Sequence, residues 1–175
     1  SLQFLAAMLS TIPASLIMAR QGRRFGFTLG ALLGLGGGIS GAYAIYDANF
    51  AVFCLSSVLI GSAAGHALYY RFAAADTASE AFKPRAISLV LAGGVVAAIA
   101  GPEIAKRSRD LLEPLLFAGT YLAITLLFVA LLLLLRFIRI PLPPRHAEAG
   151  SGRPLLEIVS QPRFLVAVLC SMVGY

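Results

Sequence analysis

Long apolar runs, separated by short polar turns rich in arginine, recur along the whole chain. Residues 2–18, 25–45, 50–70, 86–105 and 115–135 carry no Arg, Lys or Asp, and Glu103 is the one acidic residue within them. A hydrocarbon core about 30 Å thick is crossed by roughly 20 apolar residues in a helix. Lipid offers the backbone no hydrogen-bond partners, so each run must satisfy its own amides as a helix. A sixth run, 164–175, starts as the others do. The pattern predicts an all-α, polytopic transmembrane helix bundle. It opens at Ser1 inside one apolar run and stops at Tyr175 inside another, so the bundle is expected to be incomplete at both ends. Recurrence of the pattern argues against a removable signal peptide.

Composition agrees with that reading. Of the 175 residues 59% are hydrophobic and 13% charged, against about a quarter charged in soluble domains. The formal charge of +6 comes without any basic, aromatic-interleaved soluble surface, so nucleic acid is not an expected partner. Its distribution sets an orientation instead. With the Arg20–Arg24 turn in the cytoplasm, that side also receives Arg71, Lys83, Arg85, Arg136, Arg139, Arg145, Arg153 and Arg163. The other side keeps only Lys106, Arg107 and Arg109 among basic residues, as the positive-inside rule requires. Cys54 and Cys170 both fall in apolar runs, which suggests neither a disulfide framework nor a metal site, and no cofactor is implied.

The connections differ in character. Residues 46–49 read as a tight outer turn and 71–85 as a longer cytoplasmic connection carrying Asp76 and Glu80. Residues 136–163, with Pro141, Pro143, Pro144, Pro154 and Gly150-Ser151-Gly152, read as a flexible cytoplasmic linker. Within it Leu155, Leu156, Ile158 and Val159 suggest a short interfacial helix. The expected division is a bundle at 1–135, an interdomain linker at 136–163, and the start of a second bundle at 164–175.

The spans also differ. Gly30, Gly34 and Gly38 recur at i+4, and Gly37 and Gly41 repeat the interval, which lets helix backbones approach closely. Span 115–135 ends in five successive leucines and is expected at the periphery, facing lipid on most sides. In span 50–70, Ser57, Gly61, Ala64 and Gly65 form a small-residue face. Ser62, His66 and Tyr70, with Tyr69 beside them, form a polar one. Polar groups are costly against lipid, so this stripe is expected to line a bundle interior or a wet pathway. His66 would hydrogen-bond a solute or carry a proton there. The plainer alternative is a neutral histidine satisfied by a neighbouring helix.

Ser15-Leu16-Ile17-Met18-Ala19-Arg20-Gln21-Gly22-Arg23-Arg24 resembles the signature loop between helices 2 and 3 of the major facilitator superfamily. Arg20, Gly22, Arg23 and Arg24 match it, while Ser15 stands for its first glycine and Ala19 for its acid. Ala97-Ala98-Ile99-Ala100-Gly101-Pro102, preceded by Gly93-Gly94, resembles the helix-5 motif of the same family, without the later glycines. Ser57 stands where the helix-4 motif has its basic residue. The resemblance implies a fragment spanning helices 2 to 7, in a bacterial inner-membrane permease of twelve spans in two halves joined by a cytoplasmic loop. It also implies a cytoplasmic gating loop of Arg20, Gly22, Arg23 and Arg24 with Asp76 and Glu80. One of those arginines is expected to pair with one of the two acids and replace the missing loop acid. Gly101 and Pro102 are expected to control the packing and bending of their span.

Gly38-Ile39-Ser40-Gly41 resembles the nucleophile motif of rhomboid intramembrane proteases, with His66 as a conceivable base. Depth argues against the pairing. Ser40 lies about 22 Å and His66 about 8 Å from the arginine-rich end at 1.5 Å per residue. A Ser–His pair needs contact at about 3 Å. An enzyme is not expected. The reading is a secondary active, alternating-access transporter of a small solute, monomeric, with proton coupling left open. The alternative is a non-transporting polytopic receptor or scaffold. Neither substrate nor direction of transport is legible.

Overall fold

The computed structural model describes residues 2–138, with Gln161 and Val166 beyond them. The chain divides into two units, Ser1–Pro143 and Pro144–Tyr175, and the account that follows is of the first. Apart from Gln161 and Val166, the expected linker from residue 139 onward, its apolar cluster 155–159, the run 164–175 and Cys170 lie outside the described residues.

The described residues are helical and contain no strand. Five helical segments are long and apolar enough to cross a membrane, so the first unit is a polytopic transmembrane helix bundle. The helices are α1 (Leu2–Gln21), α2 (Arg23–Tyr46), α3 (Phe50–Ala67), α4 (Tyr70–Thr77), α5 (Lys83–Ser108) and α6 (Ala118–Phe137). The fourth continues the direction of the third across the short break at Leu68–Tyr69, and the two together make one crossing, Phe50–Thr77.

Each reversal has a local cause. Gly22 closes α1 through its N–H to the Met18 carbonyl at 3.0 Å and takes φ 90°, open to glycine at little cost. At the opposite end α2 gives way to α3 through Asp47 and Ala48. The Asn49 side chain then accepts the Ala51 and Val52 N–H groups at 3.1 and 3.3 Å, an N-cap that sets where α3 begins.

Three expected boundaries are corrected. The connection expected at 71–85 begins with a helix, since α4 occupies Tyr70–Thr77. The fourth crossing is longer than 86–105, running from Lys83 to Ser108, because Pro84 is tolerated in a first turn. The last begins at Ala118 rather than 115, because the chain is still turning through Leu115 and Leu116.

Helix α2 is the middle of the bundle. Its most extensive neighbours are α3 and α6, and α1 packs mainly on α3 while also touching α2, where Met18 meets Gly26. The glycine spacing explains why. A Cβ at Gly37 would stand 2.7 Å from Ile60 Cγ1 of α3, and one at Gly30 would stand 2.6 Å from the Cβ of His66. On the other flank, Gly34 is filled by the Phe128 ring, Gly38 by Thr125 and Gly41 by Tyr121, all of α6. Gly30 and Gly37 thus seat α3, and Gly34, Gly38 and Gly41 seat α6, so each i+4 row serves both neighbours. Without a hydrophobic driving force in lipid, such van der Waals contact is what holds a bundle together. Hydrogen bonding adds to it: Ser56, fully buried, donates to the Gly37 carbonyl at 2.7 Å.

Helix α6 touches α2 along one face and presents Leu126, Leu127, Leu133 and Leu134 outward, a lipid-facing surface. Helix α5 is least covered. Only Ala86 and Ser108, near its ends, are buried among the described residues.

Candidate functional site

The turns Gln21–Arg23 and Leu68–Lys83 and the last turn of α6 lie at one end of the bundle, which gathers most of the described arginines. Arg23 Nη2 meets Asp76 Oδ2 at 2.5 Å, joining the start of α2 to α4. Arg24 Nη2 donates to the Arg136 carbonyl at 3.1 Å, joining the start of α2 to the end of α6. Glu80 turns instead to Lys83 at 2.6 Å, on the approach to α5. Arg20 is exposed in the last turn of α1. Of the residues expected in the gating loop, Arg23 and Asp76 form the pair between connections, Gly22 makes the turn, and Glu80 takes no part. The Arg23–Asp76 pair is partly solvated, so its contribution is below about 1 kcal/mol.

At the opposite end Arg107 bonds Glu103 at 3.2 Å and Arg109 bonds Asp110 at 3.4 Å. Nearby carboxylates thus offset much of the one basic cluster that departs from the positive-inside pattern.

A cleft of about 250 Å³ opens near the arginine-rich end, lined by Ser15, Met18, Ala19, Arg23 and Tyr69. Above it α1 and α3 are held by two hydroxyl contacts. Tyr69 donates to the Thr11 carbonyl at 3.0 Å, and Ser10 donates to the Ser62 carbonyl at 3.3 Å. Gly61 and Gly65 of α3 approach the backbone of α1 at Gln3 and Ala7, which is where the small-residue face of this span is used.

His66 is the least ordinary residue in the bundle. It is 4% exposed and packs on Gly30 of α2. Its Nδ1 lies 2.9 Å from the Ser62 carbonyl. A carbonyl only accepts, so Nδ1 carries the proton and Nε2 is left as an acceptor in the neutral ring. That Nε2 is buried and has no hydrogen-bond partner among the described residues. A buried polar atom without a partner costs about 1–3 kcal/mol and calls for an explanation.

The expected polar stripe is interrupted at Leu68–Tyr69, after Ser62 and His66 and before Tyr70. The Tyr69 N–H bonds the His66 carbonyl three residues back, which changes the angular phase of everything after it. Ser62 is joined to α1, His66 is set against α2, and Tyr70 stacks on Phe27 with ring centroids 4.6 Å apart. Tyr69, expected only beside the stripe, is the residue that bonds α1.

The helix-5 residues stand apart from all of these. Positions Gly93, Gly94 and Gly101 have no described heavy atom within 4 Å of an added Cβ. Pro102 lies inside α5, where it removes one backbone hydrogen bond. The contact that would exploit these glycines is not made by any described residue. Ser40 donates to the Gly37 carbonyl of its own helix at 3.2 Å, and His66 sits ten residues nearer the arginine-rich end, on Gly30. No Ser–His pair forms between them.

Sequence reasoning missed Ser10, Thr11 and Ser56. The only signal was a hydroxyl or two in an apolar run, and such hydroxyls commonly bond their own helix, as Thr11 does at the Ala7 carbonyl.

The fold and these contacts define a multi-pass integral membrane protein with an ion-paired arginine-rich end and a buried histidine acceptor. The chain is similar to a riboflavin transporter, RfnT, of Brucella anthropi, at 40% identity over 177 residues. The match covers the whole of this chain and 44% of that protein's length. No protein-family model matches the chain. No solved structure matches it either.

Proposed function

We propose that this chain is part of a secondary active transporter that moves riboflavin, or a solute of similar heteroaromatic chemistry, across a membrane by alternating access. The observation that carries the reading is similarity along the entire chain to a riboflavin transporter. The arginine-rich turn and the helix-5 segment, which resemble major facilitator motifs, support that architecture. On this reading residues 1–135 belong to the first bundle, 136–163 link it to a second, and 164–175 begin that second bundle. The solute site then lies between the bundles near the bilayer midplane. His66 contributes a buried acceptor, with Ser62 and Tyr69 nearby, and proton coupling runs through His66 if it occurs at all. The membrane is the bacterial cytoplasmic one, with the arginine-rich end inside.

Uptake of radiolabelled riboflavin by proteoliposomes holding the full-length protein tests this directly. Saturable uptake that unlabelled riboflavin competes, and that collapses with the driving gradient, is expected. Saturable binding without uptake would favour a receptor. Absence of both would remove riboflavin as the solute.

A further inference from the structure

At the arginine-rich end an apolar groove of about 300 Å³ runs between α2, α4 and α6, lined by Phe27, Tyr70, Ala73, Ala74, Leu131 and Leu135. No polar atom lines it. Ile138 stands at its mouth, and Leu131 lies seven residues deeper along α6, about 10 Å at 1.5 Å per residue. Leu134, on its rim, is exposed, so the groove faces whatever surrounds the bundle at that depth. In a membrane that is the acyl region of one leaflet.

The charges above the groove complement this lining. Arg24 lies one turn before Phe27 and is half-buried, reaching across to the Arg136 carbonyl at 3.1 Å. Arg136 is in the last turn of α6 and exposed. Neither has a carboxylate within ion-pair distance among the described residues, whereas Arg23 has Asp76 and Lys83 has Glu80. Among the described residues, the single bond from Arg24 to a carbonyl leaves most of its five N–H donors unused. An apolar trough beneath two guanidiniums without carboxylate partners has the chemistry of a phospholipid, with acyl chain below and phosphate above. A heteroaromatic solute would instead need placed polar groups within the groove, and there are none.

We propose that this groove binds one anionic phospholipid, its acyl chain between α4 and α6 and its phosphate on Arg24 and Arg136. Basic pockets between transmembrane helices hold anionic headgroups in this way, and the attraction is additive over arginines near the surface. The proposal does not depend on what is transported.

Native mass spectrometry of the full-length protein, released from detergent with equimolar phosphatidylglycerol and phosphatidylcholine, tests it. The expected result is one tightly retained phosphatidylglycerol, preferred over phosphatidylcholine by about ten-fold. In the Arg24→Gln/Arg136→Gln variant that preference should fall to about one. Ala74→Phe, which fills the groove, should lose the retained lipid, and Lys106→Gln/Arg107→Gln at the other end should keep it. Equal retention of both lipids by the unaltered protein would overturn the proposal. So would an equal loss in the Lys106/Arg107 variant, which would mean diffuse surface charge. A second protein chain retained in place of lipid would show that the groove is a protein interface and would also overturn it. Should Ala74→Phe fail to fold, the arginine variants decide alone.

Discussion

Two helices of this bundle are rich in glycine and meet opposite surroundings. In α2 every glycine of the Gly30–Gly41 ladder from 30, 34, 37, 38 to 41 is seated against a side chain of α3 or α6. In α5, Gly93, Gly94 and Gly101 are seated against nothing described. The residue type is the same, and its small volume is spent in α2 on permanent contact. In α5 no described residue makes use of it. A seam filled within the bundle is a device for stability. A seam open among the described residues carries no such packing role there.

The sharpest way to break that comparison is Gly34→Leu against Gly101→Leu. Leucine at 34 collides with the Phe128 ring in the middle of the α2–α6 contact. Overpacking of this kind costs about 3 kcal/mol or more, read as a lowered midpoint of detergent-induced unfolding. Leucine at 101 should change that midpoint by less than about 1 kcal/mol, the range of substitutions outside packed cores, while lowering riboflavin uptake severely with the solute preference of any residue of activity unchanged. Equal destabilisation by the two would erase the distinction, and a shifted solute preference would place Gly101 at the binding site.

A smaller perturbation probes the histidine end of the α2 ladder. Gly30→Ala places a methyl 2.6 Å from His66 Cβ, so the histidine must move. The expected cost is about 1–3 kcal/mol, the scale of adding a methylene to a tight core. Helix propensity does not offset it, because a membrane helix remains helical in its dissociated reference state. His66→Gln should retain uptake if Nε2 only accepts a hydrogen bond. It should keep binding but abolish accumulation against a gradient if His66 carries a transported proton. His66→Leu should fail in both respects. Full activity of the leucine variant would make the histidine a packing residue.

Ser56→Ala removes one interhelical hydrogen bond of the same seam and should cost about 0.6 kcal/mol, the average for such bonds in membranes. Smallest of all is the Arg23–Asp76 pair. Either single charge removal should cost below about 1 kcal/mol in stability, and the exchanged pair Arg23→Asp/Asp76→Arg should recover uptake lost in the singles. No rescue would leave the pair an incidental contact at a wet edge.

Legibility in the sequence tracked how local each cause was. The five crossings could be read because lipid forces every segment to satisfy its own backbone, and length and apolarity are properties of a segment alone. The tight turn ending at Asn49 and the close-approach character of α2 were legible for the same reason: the N-cap and the i+4 glycine interval are written within a few residues. Gathering of the arginines at one end followed from charge counting. For the stripe Ser62–His66–Tyr70, the break at Leu68–Tyr69 could not be read from the i, i+4, i+8 spacing, nor could the fact that His66 and Tyr70 both face α2.

Only the tertiary structure decided what each helix face meets. The sequence could not say that Gly34 receives Phe128, about ninety residues away. Nor could it say that Arg23 rather than Arg24 takes Asp76, or that His66 ends with a buried acceptor and no described donor. Such outcomes depend on the phase and approach of helices far apart in the chain, set by packing of whole surfaces, and no single segment contains that information. The sequence by itself determined a membrane-spanning bundle, its polar ends and its closest-packing helix, because those follow from the bilayer acting on each segment separately.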